Sequence, residues 1–162
     1  SLANIELAFN YPKTKDTKVE EYVSDRYLKR RFAKNKSTIL REGQGNIRVP
    51  DAEFLYKEKY QIAIELELTK KAKYRYEKIF YFFRYYTYYD SVFWVFQTDS
   101  VMGYVKKVFK DIHLKSKERI LSSPNGDISL LERDLSIHKF LYYDDLIRLG
   151  TDVKMVTLKG CF

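Results

Sequence analysis

Cysteine is nearly missing from this chain of 162 residues: there is one, Cys161. A single thiol excludes an internal disulfide and a CxxC-type zinc site, and it points to a reducing, cytoplasmic setting. No base accompanies Cys161 in the sequence, so it is not read as a nucleophile. Histidine is almost as scarce. His113 and His138 are the two present, and they stand too far apart to form a closely spaced metal-binding pair. Proline and glycine number 3 and 6, which excludes collagen-like and low-complexity chains. No run of about 18 apolar residues occurs, so no membrane-spanning helix is expected. Residues 1–6 lack a basic stretch followed by an apolar one, so no signal peptide is expected either.

What is abundant is positive charge and aromatic rings. Lys and Arg total 30 against 22 Asp and Glu, a formal net charge of +8, and there are 15 Tyr and 11 Phe. Cations meet phosphates and rings stack on bases, so this pairing suits a nucleic-acid surface. It suits equally a Tyr-rich core under a solvated basic surface. The length fits one domain, 1–162, without repeats or long linkers.

Hydrophobic periodicity predicts an α/β chain with a central mixed sheet flanked by helices. A short strand is expected at Leu7-Ala8-Phe9. A first helix is expected from Thr17, where Thr17-Lys18-Val19-Glu20 fits a capping box and Val19, Tyr22, Val23 and Tyr27 form a stripe. Thr38-Ile39-Leu40 reads as a strand. Next come two β-rich runs, residues 47–56 and 60–70, around a polar break at 57–59, which predicts a hairpin. In its second strand Ile62, Ile64, Leu66 and Leu68 face one way, and Gln61, Ala63, Glu65 and Glu67 the other. A helix over about 71–89 follows, with Ala72, Tyr76, Ile79, Phe80, Phe83 and Tyr86 inside and Arg84 outside. Val92-Phe93-Trp94-Val95-Phe96 is apolar throughout, as in a strand buried on both faces. A helix capped by Asp99-Ser100 is expected next, then a loop at 122–127, a short helix near 129–135, a strand near 137–143 and an edge strand at 153–158.

The hairpin carries the chemistry. A three-residue loop at 57–59 pairs Tyr56 with Tyr60 and sets Asp51 opposite Glu65, with Cβ atoms roughly 4.5–5.5 Å apart; a two-residue loop would shift the register by one and place Asp51 diagonally instead. Glu67 follows on the same face, roughly 6.5–7 Å along the strand. Three acids converging on one face repel one another. A hard divalent cation such as Mg²⁺ relieves that repulsion, accepts a phosphate oxygen and activates water. On this view, removing one acid should leave the metal-free fold as stable or more so. Glutamates on a half-exposed strand are commonplace, but this strand is expected to be central, where inward carboxylates are costly without a use.

Pro50-Asp51, then Glu65-Leu66-Glu67 on the next strand, resembles the signature of the PD-(D/E)XK nuclease superfamily. Glu67 stands where that pattern has Lys, as in some type II restriction endonucleases. The resemblance implies a restriction-endonuclease-like core with Mg²⁺ or Mn²⁺ held by Asp51, Glu65 and Glu67. It leaves Glu67 as ligand or as general base, and Lys70 as a displaced functional lysine. Arg48-Val49-Pro50-Asp51-Ala52, Ile64-Glu65-Leu66-Glu67-Leu68-Thr69-Lys70 and Tyr74-Arg75-Tyr76 are similar to plasmid replication-relaxation proteins and MobC-type mobilisation relaxases. Those proteins join a winged helix to a nuclease-like domain, and only the nuclease-like domain is expected here. Their first helix supplies one more acid, for which Glu21 and Asp25 are the candidates and Asp25 the better match.

Taken together, the expected function is a metal-dependent endonuclease or nickase of plasmid mobilisation or replication. Asp51, Glu65, Glu67 and Lys70 would act at the phosphate, with Asp25 an added metal ligand. Lys73, Arg75, Lys78, Arg30 and Arg31 would contact DNA at an origin-like site, alongside accessory relaxosome or replication proteins. The alternative is an inactive DNA-binding or protein-interaction module with a nuclease-like fold, which the missing lysine after Glu65 favours. The tyrosines of the 71–89 segment read as packing residues in preference to a DNA-linked nucleophile.

Overall fold

The computed structural model describes residues 19–42, 45, 47–56, 58–124, 126–147 and 156–157. The expected strand at Leu7-Ala8-Phe9, the cap at Thr17, Cys161 and most of the 153–158 strand lie outside them. The strands are β1 (Val19–Ser24), β2 (Ala52–Tyr56), β3 (Tyr60–Glu67), β4 (Ser91–Phe96), β5 (His138–Tyr142) and β6 (Val156–Thr157). The helices are α1 (Asp25–Lys34), α2 (Lys36–Glu42), α3 (Lys73–Tyr85), α4 (Asp99–Leu121), α5 (Ile128–Ile137) and α6 (Tyr143–Ile147). None of the helices described is long and apolar enough to cross a membrane.

The strands form one six-stranded sheet in chain order. β1–β2–β3 is an antiparallel meander, β3–β4–β5 are parallel, and β6 returns antiparallel. The parallel pairs require crossovers, supplied by α3 between β3 and β4 and by α4 and α5 between β4 and β5. The sheet is therefore mixed, as its alternating pattern predicts.

The hairpin register is the predicted one: Tyr56 pairs with Tyr60 and Ala52 with Ile64. Glu58 in its turn has φ 54°, the left-handed conformation that three-residue hairpin loops use. Alternation along β3 sorts its side chains between two cores. Ala63 joins Trp94, Phe80, Phe109 and Phe140 under the helices, whereas Ile62 and Ile64 pack with Phe54, Phe93 and Val95 on the other face. β4 is buried on both faces, as its apolar run predicts.

Four expectations change. Val19–Ser24 is a strand and not the first turns of a helix, because Val-Glu-Glu-Tyr-Val also suits an extended ladder and β2 offers an edge to pair with. Thr38-Ile39-Leu40 lies inside α2, where Ile39 is buried. α4 is capped by Thr98, whose side chain accepts from the Val101 N–H. α3 stops at Tyr85, short of residue 89. There the Arg133 guanidinium donates to the carbonyls of Phe83, Arg84, Tyr86 and Tyr89, satisfying acceptors a helix end leaves open.

Arg84 is also not outside. It is buried with Asp134, bonding it through Nε at 2.8 Å and Nη2 at 2.5 Å, and it donates to Ser116 at 3.0 Å. His113 Nδ1 stands 3.4 Å from the same carboxylate. This group ties α3, α4 and α5 together beneath the sheet.

Candidate functional site

The C-terminal ends of β3, β4 and β5 point the same way, and the start of β2 lies beside the end of β3. Asp51 immediately precedes β2. Its N–H donates to the Ile64 carbonyl at 3.0 Å, and its Oδ2 accepts from the Leu66 N–H at 2.8 Å. These two bonds tie half-buried Asp51 to β3 just past the last register pair, Ala52–Ile64. The backbone bond goes to Ile64 and not to Glu65, so the expected Asp51–Glu65 pairing is not formed. Glu53 pairs with Ala63, so Glu53, Glu65 and Glu67 share the helix-covered face of the hairpin.

Glu53, Glu65 and Glu67 are buried, two of them with no exposed surface. Unpaired, such charges would each cost several kcal/mol, and each has its own cation. Glu65 takes the Arg48 guanidinium, with Nε 3.1 and 3.2 Å from its two oxygens and Nη2 on Oε2. Glu67 takes Lys71 Nζ at 2.6 Å and the Tyr76 hydroxyl at 3.2 Å. Glu53 takes Arg31 through both terminal nitrogens and the Tyr89 hydroxyl at 2.8 Å.

Burial governs the protonation of Glu65 and Glu67. Loss of water pushes the Glu65 carboxyl up to about 7, although Arg48 pulls the other way and Asp51 and Glu67 add to the rise. Burial likewise raises Glu67 against the pull of Lys71 and Tyr76. The Tyr76 hydroxyl is pushed up to about 12, chiefly by burial. Tyr89 rises for the same reason, with Glu53 reinforcing it.

The expected convergence of Asp51, Glu65 and Glu67 is not the arrangement found. Among the described residues no three His, Cys, Asp or Glu side chains form a metal-holding group. Asp51 accepts from the Leu66 N–H and Glu65 bonds Arg48, while Glu67 turns to Lys71 and Tyr76. Removing Glu65 would also strand Arg48, so a gain in stability from its loss no longer follows. Asp25 sits one residue past Ser24, which pairs with Ala52. It therefore lies at the same end of the sheet as Asp51, but its carboxylate is bonded to Lys29 at 2.6 Å. Glu21 lies in β1.

Lys70 is exposed and lies over the Tyr104 ring, 5.8 Å from its centroid. The lysine that reaches the carboxylates is its neighbour, Lys71. Lys73, Arg75 and Lys78 are exposed on α3, and Arg30 on α1. Lys73 stands 3.9 Å from Asp111, and Lys78 lies over Tyr74. Arg31 is engaged by Glu53 instead of facing outward.

The reading from sequence missed Arg48, Lys71, Tyr76 and Glu53. Strand parity alone put Glu53, opposite Ala63, on the face of Glu65. Lys71 stands four residues from Glu67, but the chain leaves the strand between them, so spacing did not show the pair. Comparisons with protein-family models, with curated proteins and with solved structures found no match.

Proposed function

We propose that this chain is a metal-dependent endonuclease with a restriction-endonuclease-like core, acting on DNA in the cytoplasm, of the kind that nicks plasmid origins in mobilisation or replication. The observation that carries it is Asp51 held against the end of β3, near buried Glu65 at the open end of the β2–β3 hairpin, with Glu67 and Lys71 farther along. Buried carboxylates in a row, each needing a counter-charge, are expensive for a fold to keep without a use.

Asp51 and Glu65 supply hard oxygen donors, which fit Mg²⁺ or Mn²⁺. They would hold the ion, whose positive charge would take over the role of Arg48 beside Glu65; Asp25 lies at the same end of the sheet. When bound, the ion supplies an activated water and charge stabilisation at the phosphate. Glu67 holds Lys71 in place, so that its ammonium can face developing phosphate charge. Lys70, Lys73, Arg75 and Lys78 offer cations for the flanking phosphates.

The test is single-turnover cleavage of supercoiled plasmid with Mn²⁺ or with chelator. Asp51→Asn and Glu65→Gln should each abolish metal-dependent nicking while DNA affinity stays within a few-fold. Full nicking by either purified variant would end the assignment. The closed Arg48–Glu65 and Lys71–Glu67 pairs favour a second reading, an inactive nucleic-acid-binding or protein-interaction module that uses the acids for folding. On that reading DNA binding is unchanged by chelator and no variant alters cleavage, because there is none.

A further inference from the structure

A cleft of about 140 Å³ opens on the β1–β2 side of the sheet, between α1 and the turn at residues 86–90. Tyr27, Tyr88, the Arg31–Glu53 ion pair and Gln61 are among its lining residues. Tyr27 is 61% exposed and Tyr88 40%. The hairpin register puts this cleft next to the carboxylate row. Glu53 in its lining pairs with Ala63, which is one pleat from Glu65 on the same face, roughly 6.5–7 Å along the strand.

We propose that this cleft receives one unpaired base of a single-stranded nucleic acid passing the Asp51–Glu65 site. The proposal rests on the nucleic-acid reading above and names its substrate class. Size is the first argument: a cavity of about 150 Å³ accepts one benzene-sized ring, so the cleft admits a base and not a drug-sized ligand. Lining chemistry is the second. The exposed Tyr27 ring is a surface on which an unstacked base can lie, and such stacking tolerates any sequence; the Tyr88 ring is already covered by the Arg31 guanidinium at 5.0 Å and by Tyr86 at 5.9 Å. Gln61 can both donate to and accept from a base edge. Charge is the third. Arg30 and Lys34 are exposed on α1, each three residues after a lining residue, Tyr27 or Arg31, and so on the same side of the helix, where a strand with its base inserted would bring its phosphates. A duplex hides its bases in the stack and would have to flip one out, so the cleft selects for single strands.

The experiment is fluorescence anisotropy in chelator at low salt, with a fluorescein-labelled oligothymidylate and, separately, a labelled duplex. Chelator makes binding independent of cleavage. Tyr27→Ala should weaken oligothymidylate binding about 5- to 100-fold and leave duplex binding within about two-fold. Tyr27→Phe, which keeps the ring, should restore wild-type affinity. Because Tyr27 is largely exposed, neither change threatens the fold. Equal losses on both probes, no loss on either, or no wild-type binding to oligothymidylate would each overturn the proposal. The nuclease reading stands or falls separately, on metal-dependent nicking by the wild type and its loss in Asp51→Asn.

Discussion

His138 makes the stability of this fold depend on pH. The Trp94 indole N–H can only donate, and it donates to His138 Nδ1 at 3.0 Å. The neutral ring therefore carries its proton on Nε2, which is buried and has no hydrogen-bond partner among the described residues. Phe80 stacks on the ring at 5.0 Å and Phe109 lies at 5.1 Å. A second proton would break the Trp94 bond and put a charge among these rings. Burial above all, with Arg133, Arg84 and Lys139 adding repulsion, pushes His138 down to about 3 from 6.5. The unfolded chain thus binds a proton below pH 6.5 that the native chain refuses until about 3. Stability is full above 6.5 and declines as pH falls through that window. One proton is worth about 1.4 kcal/mol per pH unit, so the His138 contribution falls by about 2 kcal/mol from pH 7 to pH 5. The assay is urea unfolding of wild type and His138→Leu across that range. The variant loses the acceptor for Trp94, a cost of about 1–3 kcal/mol that does not vary with pH. The difference between the two proteins should therefore shrink by about 2 kcal/mol on acidification. Other groups titrate in both proteins and drop out of the comparison. Parallel stability curves would refute the reasoning.

Glu65→Ala should destabilise by about 2–4 kcal/mol, because Arg48 is left beside a vacated buried site; a urea midpoint at or above wild type would contradict this. Lys71→Met should slow single-turnover nicking about 10²-fold or more, on the scale of losing one charge-stabilising donor, while Lys70→Met changes it by less than about 3-fold. The reverse ranking would return the displaced-lysine role to Lys70. Arg84→Met should cost about 3–5 kcal/mol by leaving buried Asp134 without its guanidinium and with His113 at 3.4 Å as its remaining partner, with thermal unfolding as the readout, and cleavage by the remaining folded protein should be unchanged. Duplex affinity should fall with salt at a log–log slope of about −0.9 per phosphate neutralised; a flat salt dependence would remove the electrostatic account of binding.

Strand and hairpin physics made much of this fold legible from its sequence. The period-2 pattern of β3 and the polar break before it allowed a three-residue or a two-residue loop, and the packed sheet holds the first, in which Ile62 and Ile64 stay in their core. The apolar run of β4 declared burial on both faces, whereas counting residues around the turn did not place Asp51, whose N–H donates to the Ile64 carbonyl, one residue off that register. Only the tertiary structure decided the secondary structure of Val19–Ser24, whose pattern suits a helix or a ladder until β2 offers it hydrogen bonds. The end of α3 was settled the same way, by Arg133 arriving from α5. Ion pairing was the least legible feature. Whether Arg31, Arg48, Lys71 or Arg84 faces phosphate or a buried carboxylate depends on what folds against it. A charge is forced to find its partner by removal from water, and the sequence does not say which charges the packed chain removes.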